Sequence, residues 1–416
     1  MELRTDPGED VFPRLFGNYV LVKRLASGGM GSVYLARREM GGVEKHCVVK
    51  TLRSSFSEDP DYIARFIDEA RVVVQLSHRN ICPVFDVGQV GRRHYLAMEH
   101  MPGSDLRELT SQITGPLRPA MALHLVIEVL DTLDYAHRHK DLTTGAELRL
   151  VHRDVSPQNV MINLEGEVKL VDFGLAASSM KDQATTHTQP NIVMGKVAYM
   201  APEHARGDPV DHRSDQFSTA VLAYELFARR RYYGDLAPLD IWRLAGLGSY
   251  RPDDLKTLDA ALCPILDRAL HADPSMRWPS CGAMKAALEE VRYARDLRGG
   301  AESLRALMNE QFAEGRESSR RLLATLRFEK HGDDPFIAYE IRQAIVPIDP
   351  KSSLTVGSSY VPTNRSFTLS VGCRTLNEET HVLAVGSEFE HLPASFSCRL
   401  PSGYYVEVAL QYDWNT

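Results

Sequence analysis

Hydrophobic and polar residues alternate through much of the stretch from about Tyr19 to Val90. The runs YVLVKRLA, SVYLARRE and HCVVKTL follow the period of two that is typical of half-buried strands. Between about Asp59 and Leu76 the apolar positions instead recur at helical spacing, at Ile63, Phe66, Ile67, Ala70, Val73 and Val74. The pattern predicts a small sheet that is interrupted by one helix.

The pattern becomes helical from Pro119 to about Arg295. The run MALHLVIEVLDTLDYAHRH predicts a long amphipathic helix, and a short strand-and-loop stretch at 150–175 follows it. We therefore expect an α+β fold in which a small β-rich lobe precedes a larger helical lobe.

The last part of the chain changes character twice. Residues 297–334 predict a linker that is either one helix or a helix pair broken near Gly315. Residues 335–416 consist of short alternating runs separated by turn residues, which predicts a small β-rich domain without a chemical motif. We expect a lead-in at 1–16, a main domain at 17–296, the helical linker and this C-terminal domain of unknown role.

Composition excludes several classes of protein. Of the 416 residues, 44% are apolar and 25% charged, an ordinary globular balance, and the net charge of −7 argues against a nucleic-acid partner. No apolar run reaches the ~18 residues needed to span a membrane, and the N-terminus lacks a signal-peptide pattern. Six cysteines lack metal spacing: Cys47, Cys82, Cys263, Cys281, Cys373 and Cys398. We expect reduced thiols and a cytoplasmic location.

A glycine-rich loop lies between the first two predicted strands. It consists of Ala26, Ser27, Gly28, Gly29, Met30 and Gly31, followed by Ser32 and Val33. Glycines let backbone N–H groups approach phosphate oxygens without a Cβ clash. The strand–loop–strand setting argues against a dinucleotide-binding fold, in which a helix would follow the loop.

A lysine and a glutamate follow that loop. Lys50 ends the apolar strand that contains Val48, and Glu69 lies in the predicted helix. An inward-facing lysine needs an anionic partner, because burial of an unpaired charge is unfavourable. Either residue alone is more often a surface charge. Only the motifs that follow favour an ion pair between them.

The most specific signal is a set of three short motifs. His152-Arg153-Asp154 opens a segment that runs to Asn159, Asp172-Phe173-Gly174 begins 18 positions after Asp154, and Ala201-Pro202-Glu203 follows. With the glycine loop and Lys50 before them, these motifs resemble the Hanks-type, or eukaryotic-like, serine/threonine protein kinases of bacteria. The resemblance covers roughly residues 17–296 and implies the bilobal protein kinase fold.

The resemblance implies a reaction as well. Such a kinase transfers the γ-phosphoryl group of ATP, with Mg²⁺ or Mn²⁺, to a Ser or Thr hydroxyl of a protein, and takes part in signal transduction. Asp154 would accept a hydrogen bond from the substrate hydroxyl. Asn159 and Asp172 would hold the metal ion. Lys50, paired with Glu69, would contact the α- and β-phosphates.

The same resemblance implies where the nucleotide binds. The glycine loop would cover the phosphates, Met98 would be the gatekeeper, and the backbones of Glu99 and Met101 would bond adenine. Asp105 would contact the ribose. The apolar walls of the adenine pocket would be Val33, Val48 and Met161. Taken singly, the two methionines are more often plain core residues.

Two structural pairings are implied beside the site. Glu203 would form an ion pair with the distant Arg277. Asp215 would anchor the backbone of the catalytic segment from within a buried helix. These features are typical of kinases that act on proteins, which argues against a small-molecule kinase of similar fold.

The sequence departs from the family pattern at three positions. Ala26 replaces the first glycine of the loop. Ser156 replaces a lysine that contacts the γ-phosphate, and Lys196 replaces a threonine in the loop before Ala201. In the family the latter two positions lie against each other. We hypothesise that Lys196 supplies the ammonium group and Ser156 the hydroxyl; the alternative is a solvated Lys196 and low activity.

These departures leave three questions open at the level of sequence. A pseudokinase that binds nucleotide without transfer is the main alternative, although Lys50, Asp154, Asn159 and Asp172 are all present. Tyrosine specificity is also open, although the sequence around Ala201 favours Ser/Thr.

For regulation, Arg153 would pair with a phosphorylated loop residue. We favour Thr186 and Thr188 as sites of autophosphorylation, which two copies of the chain would perform on each other.

Overall fold

The computed structural model describes most of residues 14–323 and six strands between 344 and 409. Within the first range the described parts are 14–27, 31–40, 43–52, seven positions between 63 and 75, 76–115, 117–141, 144–173 and 197–323. These residues divide into two compact units. The larger unit draws on Leu25–Leu35 and His46–Ala313, and the smaller one on the remaining described residues.

The N-terminal part is a six-stranded sheet in the order β1-β2-β3-β4-β6-β5. Its strands are β1 (Arg14–Phe16), β2 (Tyr19–Ser27), β3 (Gly31–Met40), β4 (Val43–Leu52), β5 (Val84–Val90) and β6 (Arg93–Glu99). The described positions between 63 and 75 are helical. The sheet and the inserted helix confirm the predicted β-rich lobe. Strand β1 falls inside the expected lead-in and pairs with β2 in antiparallel fashion.

Gly31 fixes how closely two of these strands approach. A Cβ atom at this position would lie 1.8 Å from the carbonyl oxygen of Thr51 on β4. No side chain fits there, so the last glycine of the loop is required by strand packing as well as by any ligand.

A second, three-stranded sheet and eight helices make up the rest of the described chain before residue 324. The strands are β7 (Gly103–Asp105), β8 (Val160–Asn163) and β9 (Val168–Leu170), and β8 pairs with both others. The helices are α1 (Leu106–Gln112), α2 (Pro119–His137), α3 (Pro202–Arg206), α4 (Arg213–Ala228), α5 (Pro238–Leu247), α6 (Cys263–Ala269), α7 (Cys281–Ala294) and α8 (Gly300–Leu323). This confirms the predicted helical lobe.

Helices α2 and α4 form the centre of the helical lobe. Both are buried on nearly every side, and their apolar residues belong to one continuous core with α7 and α8. A helix that is apolar and buried all round sits inside a lobe rather than on its surface. Side chains that project from α4 are therefore held rigidly.

Arg229 joins the ends of two helices. It adopts the left-handed conformation, with φ of 58°, directly after α4. Its guanidinium donates to the carbonyl oxygens of Thr110, at 2.8 Å, and Ile113, at 2.5 Å, at the end of α1. These carbonyls have no partner within their own helix, so the arginine satisfies them and fixes α1 beside α4.

Helix α8 packs onto the lobe with its first half and runs unbroken through Gly315. Of the two alternatives for the linker, the structure has the single helix. Leu304 and Met308 are fully buried in the core, and the amide of Asn309 donates to the carbonyl oxygen of Leu164 at 2.8 Å. At Gly166, which has φ of +81°, a Cβ would lie 2.9 Å from the backbone of α8.

Six further strands follow in the C-terminal part. A four-stranded sheet contains β10 (Ala344–Asp349), β11 (Ser352–Val361), β12 (Ser366–Thr375) and β13 (Thr380–Glu388), and a two-stranded sheet contains β14 (Ser395–Arg399) and β15 (Tyr405–Ala409). The division of the chain into lead-in, main domain, linker and C-terminal domain stays a prediction. Among the described residues, no helix combines the length and apolar character that crossing a bilayer requires.

The packing of α8 leads to a stability prediction. We expect Met308→Ala to lower the free energy of unfolding by about 2–5 kcal/mol, because it empties a fully buried site. Urea denaturation followed by circular dichroism measures this change. Glu310→Ala, at an exposed position of the same helix, is the control and should change stability by less than about 0.5 kcal/mol. Equal stability of both variants would contradict the packing.

Candidate active site

Lys50, on a central strand of the N-terminal sheet, meets Asp172. Lys50 lies on β4 opposite Leu96 of β6, and Asp172 follows β9. The Lys50 Nζ and Asp172 Oδ1 atoms are 2.7 Å apart, and both side chains are partly buried. The two residues are 122 positions apart in the sequence, so the tertiary fold alone brings them together. Glu69, the expected partner of Lys50, lies outside the described residues.

Asn159 links the other two central residues. Its Nδ2 atom donates to the carbonyl oxygen of Asp154 at 2.7 Å and to the Asp154 Oδ2 atom at 2.9 Å. Its carbonyl oxygen accepts from the backbone N–H of Val171 at 2.9 Å, one residue before Asp172. The structure therefore bonds Asn159 directly to Asp154 and to the backbone beside Asp172, and Asp172 bonds Lys50.

His152 bonds the backbone on both sides of this group, at Asp154 and at Val171. Its Nδ1 atom accepts from the backbone N–H of Asp154 at 3.2 Å, so its Nε2–H donates to the carbonyl oxygen of Val171 at 3.0 Å. The ring also packs edge-on against Phe173, with centroids 4.6 Å apart. Burial lowers the pKa of His152, which keeps the ring neutral as this arrangement requires.

Asp215 holds the backbone on which the catalytic segment begins. Its carboxylate is fully buried on α4 and accepts from the backbone N–H groups of His152 and Arg153, each at 2.8 Å. Burial raises the pKa of this carboxyl, but the hydrogen bonds from His137 and from the backbone outweigh that effect and hold its pKa below the ordinary range. The anchoring role that the sequence predicts for Asp215 is confirmed.

Sequence reasoning missed His137, the third partner of that carboxylate. His137 ends α2, and its Nε2 atom lies 2.7 Å from the Asp215 Oδ2 atom. A histidine at the end of a buried helix is the only trace in the sequence. It did not suffice, because the two residues are 78 positions apart.

Two residues of the site have a strained backbone. Arg153 and Asp172 both have φ of 64°, in the left-handed region. A non-glycine residue in such a region costs about 1–3 kcal/mol and persists only where its surroundings hold it. Here Asp215 holds Arg153, and the bond between Val171 and Asn159 holds the approach to Asp172.

Four of the residues expected to contact a nucleotide form two cross-strand pairs. Val48 on β4 faces Met98 on β6, and Asp105 on β7 faces Met161 on β8. Burial raises the pKa of Asp105, whose Oδ1 atom also caps α1 by accepting from the backbone N–H of Glu108. Ala26, Ser27 and Val33 lie on the strands beside the glycine loop, while Gly28, Gly29 and Met30 lie outside the described residues.

The expected hinge is bonded to the two residues that precede β5. The backbone N–H of Glu99 donates to the carbonyl oxygen of Pro83 at 3.0 Å, and the Cys82 thiol donates to the carbonyl oxygen of Glu99 at 3.4 Å. Burial raises the pKa of Cys82 to about 12, so the thiol stays protonated as a donor. Met101 is buried two residues further on.

An apolar cavity lies behind Asp172. Its lining residues come from the helical positions near 70, from strands β5 and β6 and from the end of β9: Ala70, Val73, Ile81, Cys82, Val84, Leu96, Met98, Leu170, Val171, Asp172 and Phe173. Met98 at the gatekeeper position and Phe173 therefore border one apolar space.

Two polar side chains near Asp154 lack partners within the described part of the chain. The Ser156 hydroxyl and the Arg153 Nε atom are both buried there without a hydrogen bond. Buried polar groups normally have a partner, so these two atoms are candidates for a contact with another part of the chain or with a ligand. Lys196, Thr186 and Thr188, the residues expected near them, lie outside the described residues.

Asn159 and Asp172 fit a magnesium ion. The Nδ2 atom of Asn159 is used by Asp154, which leaves the Oδ1 oxygen as a ligand beside the Asp172 carboxylate. Magnesium is usually held by one or two carboxylates together with substrate phosphates, not by a complete protein cage. Consistent with this, no cluster of three metal-binding side chains occurs in the described part of the chain.

The predicted pair of Glu203 and Arg277 is present. The Nη1 and Nη2 atoms of Arg277 donate to the two carboxylate oxygens of Glu203, each at 2.7 Å, and both side chains are almost fully buried. The Ser214 hydroxyl also donates to Glu203. Burial raises the pKa of Glu203, but the bonds from Arg277 outweigh that effect and hold its pKa below the ordinary range.

Tyr199 connects the segment before Glu203 to α4. Its hydroxyl donates to the Glu225 Oε2 atom at 2.5 Å, and the backbone N–H of Tyr232 donates to the Glu225 Oε1 atom at 2.9 Å. Both oxygens of Glu225 are thus occupied. Sequence reasoning singled out neither residue, because no motif marks them.

Comparison with known proteins agrees with this geometry. Residues 19–288 match the family described as protein kinase domain. The chain is 34% identical over 322 residues to the tyrosine-protein kinase MasK of Myxococcus xanthus, which covers 75% of this chain and 48% of MasK. It is 35% identical over 289 residues to the probable serine/threonine-protein kinase SCO3848 of Streptomyces coelicolor, covering 66% and 40%.

Two further similarities extend the comparison. The chain is 32% identical over 279 residues to the serine/threonine-protein kinase PrkC of Bacillus subtilis, covering 66% of this chain and 41% of PrkC. The crystal structure of the Mycobacterium tuberculosis PknI kinase domain superposes with a TM-score of 0.51 at 28% identity, covering 67% of this chain and 97% of that domain. The chain spans less than half the length of each curated relative.

The Glu203 and Arg277 pair leads to a prediction. We expect Arg277→Met to lower the free energy of unfolding at neutral pH by about 3–5 kcal/mol, because a buried carboxylate loses its counter-charge. Urea denaturation at a series of pH values measures this change. The pair lowers the pKa of Glu203, so its contribution is complete above the ordinary value of 4.5 and is lost as pH falls through the lowered value. The difference between variant and wild type should therefore shrink below pH 4.5.

The matched control is Arg298→Met, which removes an exposed arginine. It should change the free energy of unfolding by less than about 0.5 kcal/mol. A loss of the same size in both variants would mean that burial of the ion pair is not the cause.

Proposed function

The chain belongs to the protein kinase family, and on this premise we propose that it transfers the γ-phosphoryl group of ATP to a Ser or Thr hydroxyl of a protein substrate. The observation that carries the proposal is one connected group of four residues: Lys50 bonds Asp172, Asn159 bonds Asp154, and the backbone of Asn159 bonds that of Val171, next to Asp172. It contains a cation for phosphates, two oxygen ligands for a metal ion and a carboxylate for the substrate hydroxyl.

In the proposed reaction Asp154 accepts a hydrogen bond from the substrate hydroxyl and holds it in line with the γ-phosphoryl group. Its Oδ2 atom accepts a hydrogen bond from the Asn159 side chain, which orients the carboxylate for this role. Lys50 binds the α- and β-phosphates once nucleotide separates it from Asp172. Magnesium bound to Asn159 and Asp172 would supply positive charge beside the phosphates. Glu69 keeps its proposed role as the partner that orients Lys50.

The nucleotide would lie between the glycine loop and Met161. We assign the phosphates to the loop from Ala26 to Gly31 and the adenine to the backbones of Glu99 and Met101. Apolar contacts to the base would come from Val33, Val48, Met98 and Met161. Asp105 would reach the ribose with the oxygen that does not cap α1.

Specificity for Ser and Thr is part of the proposal. Two of the relatives described above carry serine/threonine-protein kinase in their names, whereas MasK is named a tyrosine-protein kinase. The motif Met200-Ala201-Pro202-Glu203 after the loop favours specificity for Ser and Thr. A phosphoamino-acid analysis of the labelled product would separate the two.

Lys196 is proposed as the ammonium group that contacts the γ-phosphate in place of the missing lysine. The Ser156 hydroxyl, buried and without a partner among described residues, supports a neighbour at this position. Lys196 is one of two lysines in the sequence between Phe173 and Val197, the other being Lys181.

Regulation would use Arg153 together with Thr186 and Thr188. A phosphate on either threonine carries nearly two negative charges and would bond the half-buried Arg153 guanidinium strongly. The Arg153 Nε atom without a described partner supports this assignment. Two copies of the chain would phosphorylate each other in a transient dimer. We also propose a cytoplasmic location, which the thiols of Cys82, Cys263 and Cys281 support, since none of them forms a disulfide.

The experiment that tests the proposed function compares wild type with Asp154→Asn. We expect transfer from radiolabelled ATP to a protein or peptide substrate to fall by about 10²- to 10⁴-fold, while ATP binding is unchanged. Mass spectrometry should find phosphate on Thr186 or Thr188 of the wild type and none on the variant. Asp296→Asn, at an exposed position, is the control. A wild type that binds ATP but never transfers phosphate would be a pseudokinase.

The exchange at Lys196 has a test of its own. We expect Lys196→Ala to reduce kcat by about 10²- to 10³-fold with little change in ATP affinity, because the charge acts mainly on the transition state. Lys181→Ala, in the same stretch of sequence, should leave kcat within about twofold. The double variant Ser156→Lys with Lys196→Thr restores the family arrangement and should recover most of the lost activity. Normal turnover of Lys196→Ala would refute the assignment.

A further inference from the structure

Two exposed arginines near the proposed site have no ion-pair partner within the described part of the chain. Arg107 lies in the first turn of α1, and Arg231 lies in the turn after α4. We call these two residues the arginine rim. Their neighbour Arg230 differs, because its charge is balanced by Asp254 at 3.2 Å.

The fold brings the two arginines to one place. Arg229, beside Arg231, donates to the carbonyl oxygens of Thr110 and Ile113 on α1. Arg107 precedes Thr110 by three residues, which is about 4.5 Å along a helix axis. The turn that carries Arg231 and the helix that carries Arg107 are therefore neighbours.

This place borders the proposed catalytic segment. Helix α1 packs against the short helical turn Pro157–Asn159, which begins three residues after Asp154. A substrate whose hydroxyl reaches Asp154 must lay its flanking residues over the surface nearby. Helix α1 forms part of that surface.

The surroundings of Tyr199 also place the two arginines near each other. Burial raises the pKa of its hydroxyl, and so does the charge of Glu225, while the charges of Arg231 and Arg107 oppose the rise. Both arginines are thus within electrostatic reach of the segment that leads into Ala201 and Pro202.

The carboxylates around the rim are already engaged. Both oxygens of Glu225 accept hydrogen bonds, from Tyr199 and from Tyr232, and Asp254 pairs with Arg230. Glu108 accepts from the Ser104 hydroxyl at 2.5 Å. The rim therefore presents two positive charges without a direct ion pair in the described part of the chain, although the chain as a whole carries a net charge of −7.

We propose that the arginine rim selects substrates, and that the preferred substrate is a peptide segment with Asp or Glu side chains beside its Ser or Thr. The proposal rests on the proposed function for the reaction at Asp154 and names the class of substrate for that site. Exposed ion pairs are individually weak, so each arginine should change the preference by about two- to fivefold and both together by on the order of tenfold.

The test uses the full chain with ATP, magnesium and four synthetic peptides. The peptides share one central Ser and differ in the three residues before or after it, which are glutamates before, glutamates after, lysines on both sides, or glutamines on both sides. Steady-state kinetics give kcat/KM for each peptide. Fluorescence anisotropy of labelled peptides gives binding separately, using Asp154→Asn protein so that transfer does not interfere.

The decisive variant is Arg107→Glu combined with Arg231→Glu. Wild type should favour one or both acidic peptides over the basic one by on the order of tenfold in binding and in kcat/KM, and added salt should weaken the preference. The double variant should lose or reverse that preference. Arg295→Glu with Arg298→Glu makes the same change in net charge at exposed positions of other segments and should leave it intact.

The outcomes separate this inference from the proposed function. Equal use of acidic and basic peptides, binding of none of them, or a preference that survives the double variant overturns the arginine rim. Binding that favours acidic peptides through the rim, without transfer to any peptide or protein, supports the rim and refutes the kinase reaction.

Discussion

The backbone that leads into Asp154 depends on one buried carboxylate, that of Asp215. It sits fully buried on α4 and would be very unfavourable there without hydrogen bonds. Its bonds go to the backbone of His152 and Arg153 and to the ring of His137. They hold Arg153 in a left-handed conformation, which aims the next residue, Asp154, towards the site. The catalytic segment therefore takes its shape from the core of the helical lobe.

Helix α4 also organises the surroundings of the site. Asp215 leads to the catalytic segment, Ser214 bonds the buried pair of Glu203 and Arg277, and Glu225 bonds Tyr199. Because the helix is buried all round, these side chains share one rigid support. The turn after α4 then presents charge to solvent. In this way one element connects the segment that carries Asp154, the segment before α3 and the proposed surface for the substrate.

Helix α8 extends this support beyond the part that matches the family. Leu304 and Met308 complete the core, and Asn309 bonds Leu164 at the end of the β8 hairpin that follows the catalytic segment. The close approach at Gly166 requires a residue without a side chain. The first half of α8 therefore belongs with the helical lobe in packing terms.

The sequence by itself determined the two-lobed fold, and its motifs led to Lys50, Asp154, Asn159 and Asp172 as the proposed site. Periodicity reports which face of an element is buried, and the motifs keep reactive residues at short, characteristic spacing. Only the tertiary structure decided the partners of those residues. His137 beside Asp215, Tyr199 on Glu225 and Arg229 on α1 leave no local pattern, because each contact joins residues separated by 26 to 119 positions. Such contacts follow from how whole helices pack, and packing is a property of the assembled core, not of any short stretch of sequence.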